Sequence, residues 1–348
     1  MTARLHDPSL DPIETSPRIS FVVVTHQSED CIEECLRSIH SQRPRPSQVT
    51  VVDSGSRDGT ATRVARFASV RWLPMGRNIG FAAAANRGVA TASGDLVAVL
   101  NADVSLHPGW VSAMLRSADR YPTCGSFGSV QFRSAGDGLD GAGDCLHCSG
   151  LVWRRGKGDA TRPREDLETF SACGAAAVYR RDAFLRCGGF EESFFCYFED
   201  VDLGFRLRLR GHGCVTVAAA SCEHRHGHSA GGPQSEFATY HGHRNMVWSY
   251  LRCMPEPLLW LLVPAFIASQ LACLAATSLR GQGRLALRAK LDALSELRRV
   301  LGERRSIQRS RFASAAAIAN ALAWAIVPRR RDSRGRSAVR LAAMVERD

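Results

Sequence analysis

The sequence predicts an α/β protein built on a mostly parallel sheet with flanking helices, followed by a helical segment that associates with a membrane. Three observations predict it. Short β-branched runs alternate with helical patterns over the first hundred residues, as in βαβ units. Polar residues collect where those runs end. Beyond residue 255 the chain becomes first apolar and then strongly basic.

Residues 1–18 are polar and interrupted by proline, without the apolar core of a signal peptide, and read as a loose leader. Ile19 to Thr25 (ISFVVVT) is a continuous β-branched run, the pattern of a strand buried on both faces. Ser28 to Ser41 carries apolar Ile32, Cys35, Leu36 and Ile39 at helical spacing, with Ser28 as the expected N-cap. Val49 to Val52 is a second strand ending in Asp53-Ser-Gly-Ser, and Asp58 or Ser56 caps a helix to about Phe67. Val70 to Leu73 is a third strand, Ile79 to Val89 an Ala-rich helix, and Leu96 to Leu100 a fourth strand. From Tyr121 to Thr169 the pattern loosens into Gly-rich and charged stretches with short strands, where a binding loop belongs. Regular structure resumes with a strand at Gly174 to Tyr179 and helices at Arg181 to Cys187 and Asp200 to Arg210. A strand at Gly213 to Ala219 and a helix at Glu236 to Cys253 complete a domain spanning 19–254.

The rest, 255–348, reads as apolar helices and an Arg-rich tail. Of 348 residues, 45 are Lys or Arg and 34 Asp or Glu, a net charge of +11. From Arg280 onward there are seventeen basic and six acidic residues, so the tail holds the whole excess and the remainder is neutral. That distribution excludes a globally basic nucleic-acid binder. Leu258 to Leu279 is 22 residues without a charge, long enough to cross about 30 Å of hydrocarbon, whereas Phe312 to Val327 spans only 16. If both crossed, the ten basic residues between them would lie outside, against the positive-inside tendency. Attachment to the anionic cytoplasmic face of a membrane, peripheral or anchored through 258–279, is the favoured reading; a buried core helix is the alternative. Twelve irregularly spaced cysteines are too dilute for a disulfide scaffold, and Cys145-Leu-His-Cys148 lacks the second pair a zinc site needs.

Open parallel sheets bind ligands at the carboxyl ends of their strands. Thr25-His26, Asp53 and Asn101-Ala-Asp103 fall at three such ends. Neither G-x-G-x-x-G after the first strand nor G-x-x-x-x-G-K-[ST] anywhere is present, so a bound nucleotide needs another counter-charge, which a divalent cation supplies.

Val51-Val-Asp53-Ser-Gly-Ser-Arg-Asp58-Gly59-Thr60, Arg77-Asn78-Ile-Gly80-Phe81 with Asn86-Arg-Gly88, and Leu100-Asn101-Ala-Asp103 resemble the family 2 glycosyltransferases of GT-A fold. Gly174 through Phe190, Phe198-Glu199-Asp200-Val-Asp202 and His224-Arg-His-Gly227-His-Ser229 follow in the family's order, so the resemblance covers about residues 19–250. It is nearest to the rhamnosyltransferase-like subgroup that builds bacterial cell-surface polysaccharides.

The resemblance implies a dTDP- or UDP-sugar donor along the strand rim, with Asp53 on the nucleobase, Thr25 lining the same pocket, and Asn78, Gly80 and Asn86 shaping the loop and helix beside it. Asp103 would be a ligand of Mg²⁺ or Mn²⁺, with Asn101 standing where the Asp-x-Asp form has its first carboxylate. His224 would be the remaining metal ligand, although His226 and His228 alternate with it. Asp200 would deprotonate the acceptor hydroxyl, inverting the anomeric configuration, with Glu199, Asp202 and Trp153 on the acceptor side. The acceptor implied is a lipid-linked or cell-surface glycan and the sugar a hexose, rhamnose being one candidate. A polyprenyl-phosphate synthase, a UDP-hexose donor and an inactive membrane-bound scaffold remain alternatives.

Overall fold

The computed structural model describes residues 18–133, 138–225 and 235–325. Its first half runs β1 (Ile19–Thr25), α1 (Ile32–His40), β2 (Gln48–Asp53), α2 (Thr60–Val64), β3 (Val70–Pro74), α3 (Gly80–Ala90) and β4 (Leu96–Asn101). These strands pair in parallel, in the order β4-β1-β2-β3, so their carboxyl ends share one rim. Alternate residues of β1 serve two cores, as a pleated strand dictates. Phe21 and Val23 join the core containing Leu36 and Trp110, and Val22 and Val24 join the one containing Ala82, Ala85 and Phe184. The small side chains of α3 let it lie close to the sheet: a Cβ on Gly88 would meet Val22 at 2.2 Å.

The chain then builds the other half of the sheet from β5 (Val104–Leu106), α4 (Trp110–Arg120), β6 (Cys124–Arg133) and β7 (Leu139–Ala142). It continues with β8 (Asp144–Leu146), β9 (Val152–Arg154), β10 (Leu167–Glu168), β11 (Ala176–Arg180), α5 (Arg181–Arg186), α6 (Glu199–Leu209) and β12 (Gly213–His224). The full order is β10-β12-β6-β11-β4-β1-β2-β3, with β5 on β12 and β7 on β6, while β8 and β9 form a separate ribbon. β11 runs antiparallel to both β4 and β6, so the sheet is mixed although most strands point one way. This is the α/β sheet with flanking helices that the sequence predicts.

Several local expectations change. Ser28 does not cap α1 with its side chain; its carbonyl accepts the Cys31 and Ile32 N–H groups while its hydroxyl bonds to the His26 carbonyl. The N-cap of α2 is Gly59, without a side-chain cap, and Asp58 before it accepts the Thr60 N–H at 3.2 Å. β12 extends five residues beyond the expected strand, past a register shift between Val217 and Ser221. That extension carries His224 opposite Val104, beside the carboxyl end of β4.

The last elements are α7 (Glu236–Cys253), α8 (Leu258–Ser278), α9 (Gly283–Ser295), α10 (Leu297–Arg309) and α11 (Ala315–Ala321). They share a third core with Phe194 and Phe205. Among the described residues α8 alone is long and apolar enough to cross a membrane. One face packs on protein: Phe266 stacks on Tyr250, ring centroids 3.9 Å apart, and the Gln270 side chain accepts from Lys290 at 2.7 Å. The opposite face is bare, with Trp260 at 67% and Leu261 at 69% exposure.

Candidate active site

A cavity of about 1240 Å³ opens over the carboxyl ends of β1 and β4. Its wall includes Thr25, Ser54, Asn78, Gly80, Asn101 and Asp103. Thr25 lines the cavity, is buried, and its hydroxyl has no protein partner among the described residues. Asn78 organises the turn into α3, its carbonyl oxygen accepting from Ser54 at 3.1 Å and from the Gly80 N–H at 3.0 Å. Gly80 has φ +81°, and a Cβ there would meet the Phe195 ring and carbonyl at 2.6 Å.

Two of the expected donor residues do not line the cavity. Asp53 is buried and turned back to close its own loop, its carboxylate accepting the Ser56 N–H. Asn86 faces the 188–192 turn, exchanging two 2.9 Å hydrogen bonds with the Phe190 backbone. It shapes the region beside α3 and makes no wall of the cavity itself.

Asp103 and His224 stand 121 residues apart in sequence and meet because β5 pairs with β12, placing Val104 opposite His224. Asp103 Oδ1 lies 3.3 Å from His224 Nε2. The other ring nitrogen, Nδ1, lies 3.5 Å from Asp140 Oδ2, and Asp140 is fully buried and ion-paired with Arg154. Burial pulls the His224 pKa down, but its hydrogen bonds to Asp103 and Asp140 outweigh that and raise it. Among the described residues no group of three or more His, Cys, Asp or Glu side chains is arranged around one metal position. A carboxylate and an imidazole converging on an open cavity fit a divalent cation whose other ligands come from a diphosphate and water. His226 and His228 lie outside the described residues. Cys145 and Cys148 form no metal cluster among the described residues: Cys148 is 3.8 Å from His147, and Cys145 is 3.6 Å from an Arg155 amino group.

A carboxylate cluster stands at the start of α6. Asp200 lines the cavity, one oxygen accepting the Gly174 N–H at 2.7 Å and the other its neighbour Val201 N–H at 2.8 Å. Burial first, then the Asp200 charge, pushes Glu199 well above the usual carboxylate range and Asp144 up to about 7. Both therefore resist ionisation beside the more exposed Asp200. Asp202 is not an acceptor-side group. It is fully buried, 2.7 Å from Arg206 and 3.5 Å from Arg252, and does not line the cavity. Two residues along a helix is a rotation of about 200°, so Asp202 points away from the face that carries Asp200. Trp153 lines the cavity half-buried, its ring centroid 6.1 Å from that of His147.

The loop preceding α6 is unusual. Phe195, Tyr197 and Phe198 have φ of 65°, 68° and 69°, a left-handed conformation rare for aromatic residues, and all three line the cavity. Neither this loop nor Asp140, Asp144 and Arg154 was marked by the sequence patterns; the Phe-Phe-Cys-Tyr-Phe run before Glu199 was the available signal.

With this geometry in hand, the relationships to known proteins are informative. Residues 20–188 match the model of Glycosyl transferase family 2. Over 311 residues the chain is 32% identical to the N-acetylglucosaminyl-diphospho-decaprenol L-rhamnosyltransferase of Mycobacterium tuberculosis, covering 80% of this chain and 94% of the relative. The chain belongs to the family 2 glycosyltransferases. It is also 27% identical over 234 residues to the O-antigen biosynthesis protein RfbC of Myxococcus xanthus, covering 61% of this chain and 18% of that one. Among solved structures it resembles S. aureus TarS 1-349 in complex with UDP (TM-score 0.55, 17% identity, covering 84% of this chain and 88% of that one). It also resembles the mannosyltransferase PcManGT of Pyrobaculum calidifontis with GDP-Man and Mn²⁺ (TM-score 0.52, 20% identity, 88% and 87%). The fold is therefore GT-A, and the cavity of this glycosyltransferase opens over the carboxyl ends of β1 and β4.

Proposed function

We propose that this glycosyltransferase moves a hexose, with rhamnose the first candidate, from a nucleoside diphosphate to a hydroxyl of a polyprenyl-diphosphate-linked glycan, with inversion. The observation that carries the proposal is a single cavity lined jointly by Thr25, Asp103, His224 and Asp200. The name of the mycobacterial relative supports the lipid-linked acceptor and the sugar. Its coverage of 94% of that relative supports carrying the whole activity across.

The nucleoside lies along the strand ends at Thr25 and Ser54, and the diphosphate lies toward Asp103 and His224. Those two residues would hold a Mg²⁺ or Mn²⁺ ion, which offsets the charge of the leaving diphosphate. On the acceptor side Asp200 accepts the proton of the acceptor hydroxyl. As the acceptor oxygen bonds to the anomeric carbon, the bond from that carbon to the diphosphate breaks, and the nucleoside diphosphate leaves with its electron pair. Burial disfavours the charged forms of Glu199 and Asp144, which limits the repulsion between this cluster and the anionic donor. Trp153 offers the acceptor sugar an apolar face.

Attachment is to the cytoplasmic face of the membrane, and peripheral. Beside the bare face of α8, helix α9 and its continuation expose Leu287, Leu291, Leu294 and Leu301 together with Arg284, Arg288 and Arg298. An apolar strip bordered by arginine fits an anionic bilayer surface.

A thermal-shift screen of dTDP-, UDP- and GDP-sugars with Mn²⁺ tests the reading, followed by transfer to N-acetylglucosaminyl-diphospho-polyprenol and to a polyprenyl monophosphate. A donor at about 100 times its Kd stabilises by roughly 2.7 kcal/mol, an easily read shift. Stabilisation by sugars of one base, with transfer to the diphosphate-linked acceptor, supports the proposal. No stabilisation and no transfer from any donor favours the scaffold alternative.

A further inference from the structure

The base can work only if the loop that delivers it is held in place, and that loop is in a costly conformation. Three non-glycine residues with positive φ, in a stretch of four, cost about 1–3 kcal/mol each and persist only where surrounding contacts over-determine them. Phe198 is the first of those contacts' dependants: it sits in the left-handed region as the residue preceding α6, and its carbonyl accepts the Asp202 N–H at 2.9 Å. A shift of this loop therefore shifts the first turn of α6, where Asp200 lies.

The Ala82 N–H of α3 donates to the Phe195 carbonyl at 3.2 Å, and the side chains that grip the loop's other carbonyls come from α7. Asn245 is fully buried, and its side-chain nitrogen lies 3.0, 2.9 and 2.8 Å from the carbonyl oxygens of Phe194, Cys196 and Tyr197. No other side chain donates to these last two carbonyls among the described residues. The Asn245 carbonyl oxygen in turn accepts from Arg244 Nε at 3.0 Å, which orients the amide so that its N–H groups face the loop. Arg244 reaches the same segment, donating to the Ser193 and Phe194 carbonyls at 3.0 and 3.1 Å.

We propose that Asn245 is a positioning residue for sugar transfer, its carboxamide clamping the 194–197 carbonyls and thereby fixing where Asp200 stands. This rests on the reading of Asp200 as the base. Asn245 touches neither substrate nor the cavity, so its effect must pass through the loop.

The test is a double-mutant cycle on the full chain, reading kcat, donor KM and nucleotide Kd. Asn245→Leu keeps the size of the side chain and removes its N–H donors. It is expected to lower kcat about 100-fold, the scale of an ångström-sized misplacement, with nucleotide Kd within threefold of wild type. In an Asp200→Asn background the same substitution should cost less than threefold, because there is no longer a base to misplace. A folded Asn245→Leu with wild-type kcat overturns the proposal, and so does a full 100-fold loss in the Asp200→Asn background. If Asn245→Leu does not fold, Asn245→Gln, which displaces the donor by one methylene, enters the same cycle under the same criteria. Asp200→Asn alone reports on the base: if it retains more than a tenth of the wild-type kcat, the base assignment fails, and the role given to Asn245 fails with it.

Discussion

Replacing Asp200 by asparagine separates chemistry from folding and donor binding. The carboxylate accepts two backbone N–H groups, from Gly174 at 2.7 Å and from Val201 at 2.8 Å. An asparagine offers one acceptor oxygen, so its amino group must face one of these donors, and one hydrogen bond to a charged acceptor is lost, worth about 1.5–3 kcal/mol. Against that, the negative charge that helps raise the pKa of Glu199 and Asp144 disappears, which relieves part of the cost. The net change in Tm should stay within about 4 °C. Catalysis has no such compensation. Loss of a positioned base lowers kcat by about 10²–10⁴-fold, equivalent to roughly 2.7–5.5 kcal/mol of transition-state stabilisation. Release of nucleoside diphosphate from the sugar donor, measured with acceptor present, reads kcat; calorimetric titration of the donor reads Kd. A tenfold loss of donor affinity accompanying the fall in kcat would refute the reasoning, because it would place Asp200 on the donor.

Asp140→Asn should weaken Mn²⁺ binding about 10–100-fold, measured by electron paramagnetic resonance titration with nucleoside diphosphate, because it loosens the ring of His224. Unchanged affinity would remove Asp140 from the metal's support. Asp144 makes stability fall across the acid-to-neutral range. Its folded pKa of about 7 exceeds the unfolded value of 3.8, so the native state binds the extra proton and stability falls as pH rises from about 4 through 7. Asp144→Asn should flatten that dependence and melt above wild type at pH 8, with equal slopes counting against it. Gly80→Ala should destabilise by roughly 2–4 kcal/mol in urea unfolding, from a positive φ and a 2.6 Å clash with Phe195. Trp260→Glu with Leu261→Glu should reduce sedimentation with anionic vesicles while leaving transfer to a detergent-solubilised acceptor intact.

The donor half of the fold was legible because β1, β2 and β4 are buried on both faces and announce themselves as unbroken Val-rich runs. Their ends locate Thr25, Asn101 and Asp103 without further help. Asp53 shares that signature, yet its carboxylate is taken up by Ser56, since a strand-terminal aspartate closes its own turn as readily as it faces a ligand. Asp200 and Asp202 look interchangeable in the sequence and differ only through helical rotation. Helix α4 went unmarked: it starts at Trp110 after a left-handed Gly109 with no side-chain cap. Asp140, Asp144 and Arg154 sit in strands of only three or four residues, too short for a periodic pattern to reveal them. Asn245 is the extreme case. Its meaning lies wholly in contacts with residues 48 to 51 positions earlier.

The segment after α11 returns to the catalytic half of the molecule. The Ala323 N–H donates to the Leu146 carbonyl at 2.8 Å, its own carbonyl accepts from Cys148 at 3.0 Å, and residues 320–323 line the cavity. Part of the cavity wall is thus made from chain that lies beyond α8, α9 and α10. Shortening the protein after residue 254 to improve its solubility would therefore open that cavity on one side. It would also remove Arg304, whose guanidinium binds the Leu251 and Met254 carbonyls at the end of α7. Preparations for biochemistry should keep all of α8 to α11 and use detergent or nanodiscs, and an inactive truncated form would say nothing about the catalytic residues.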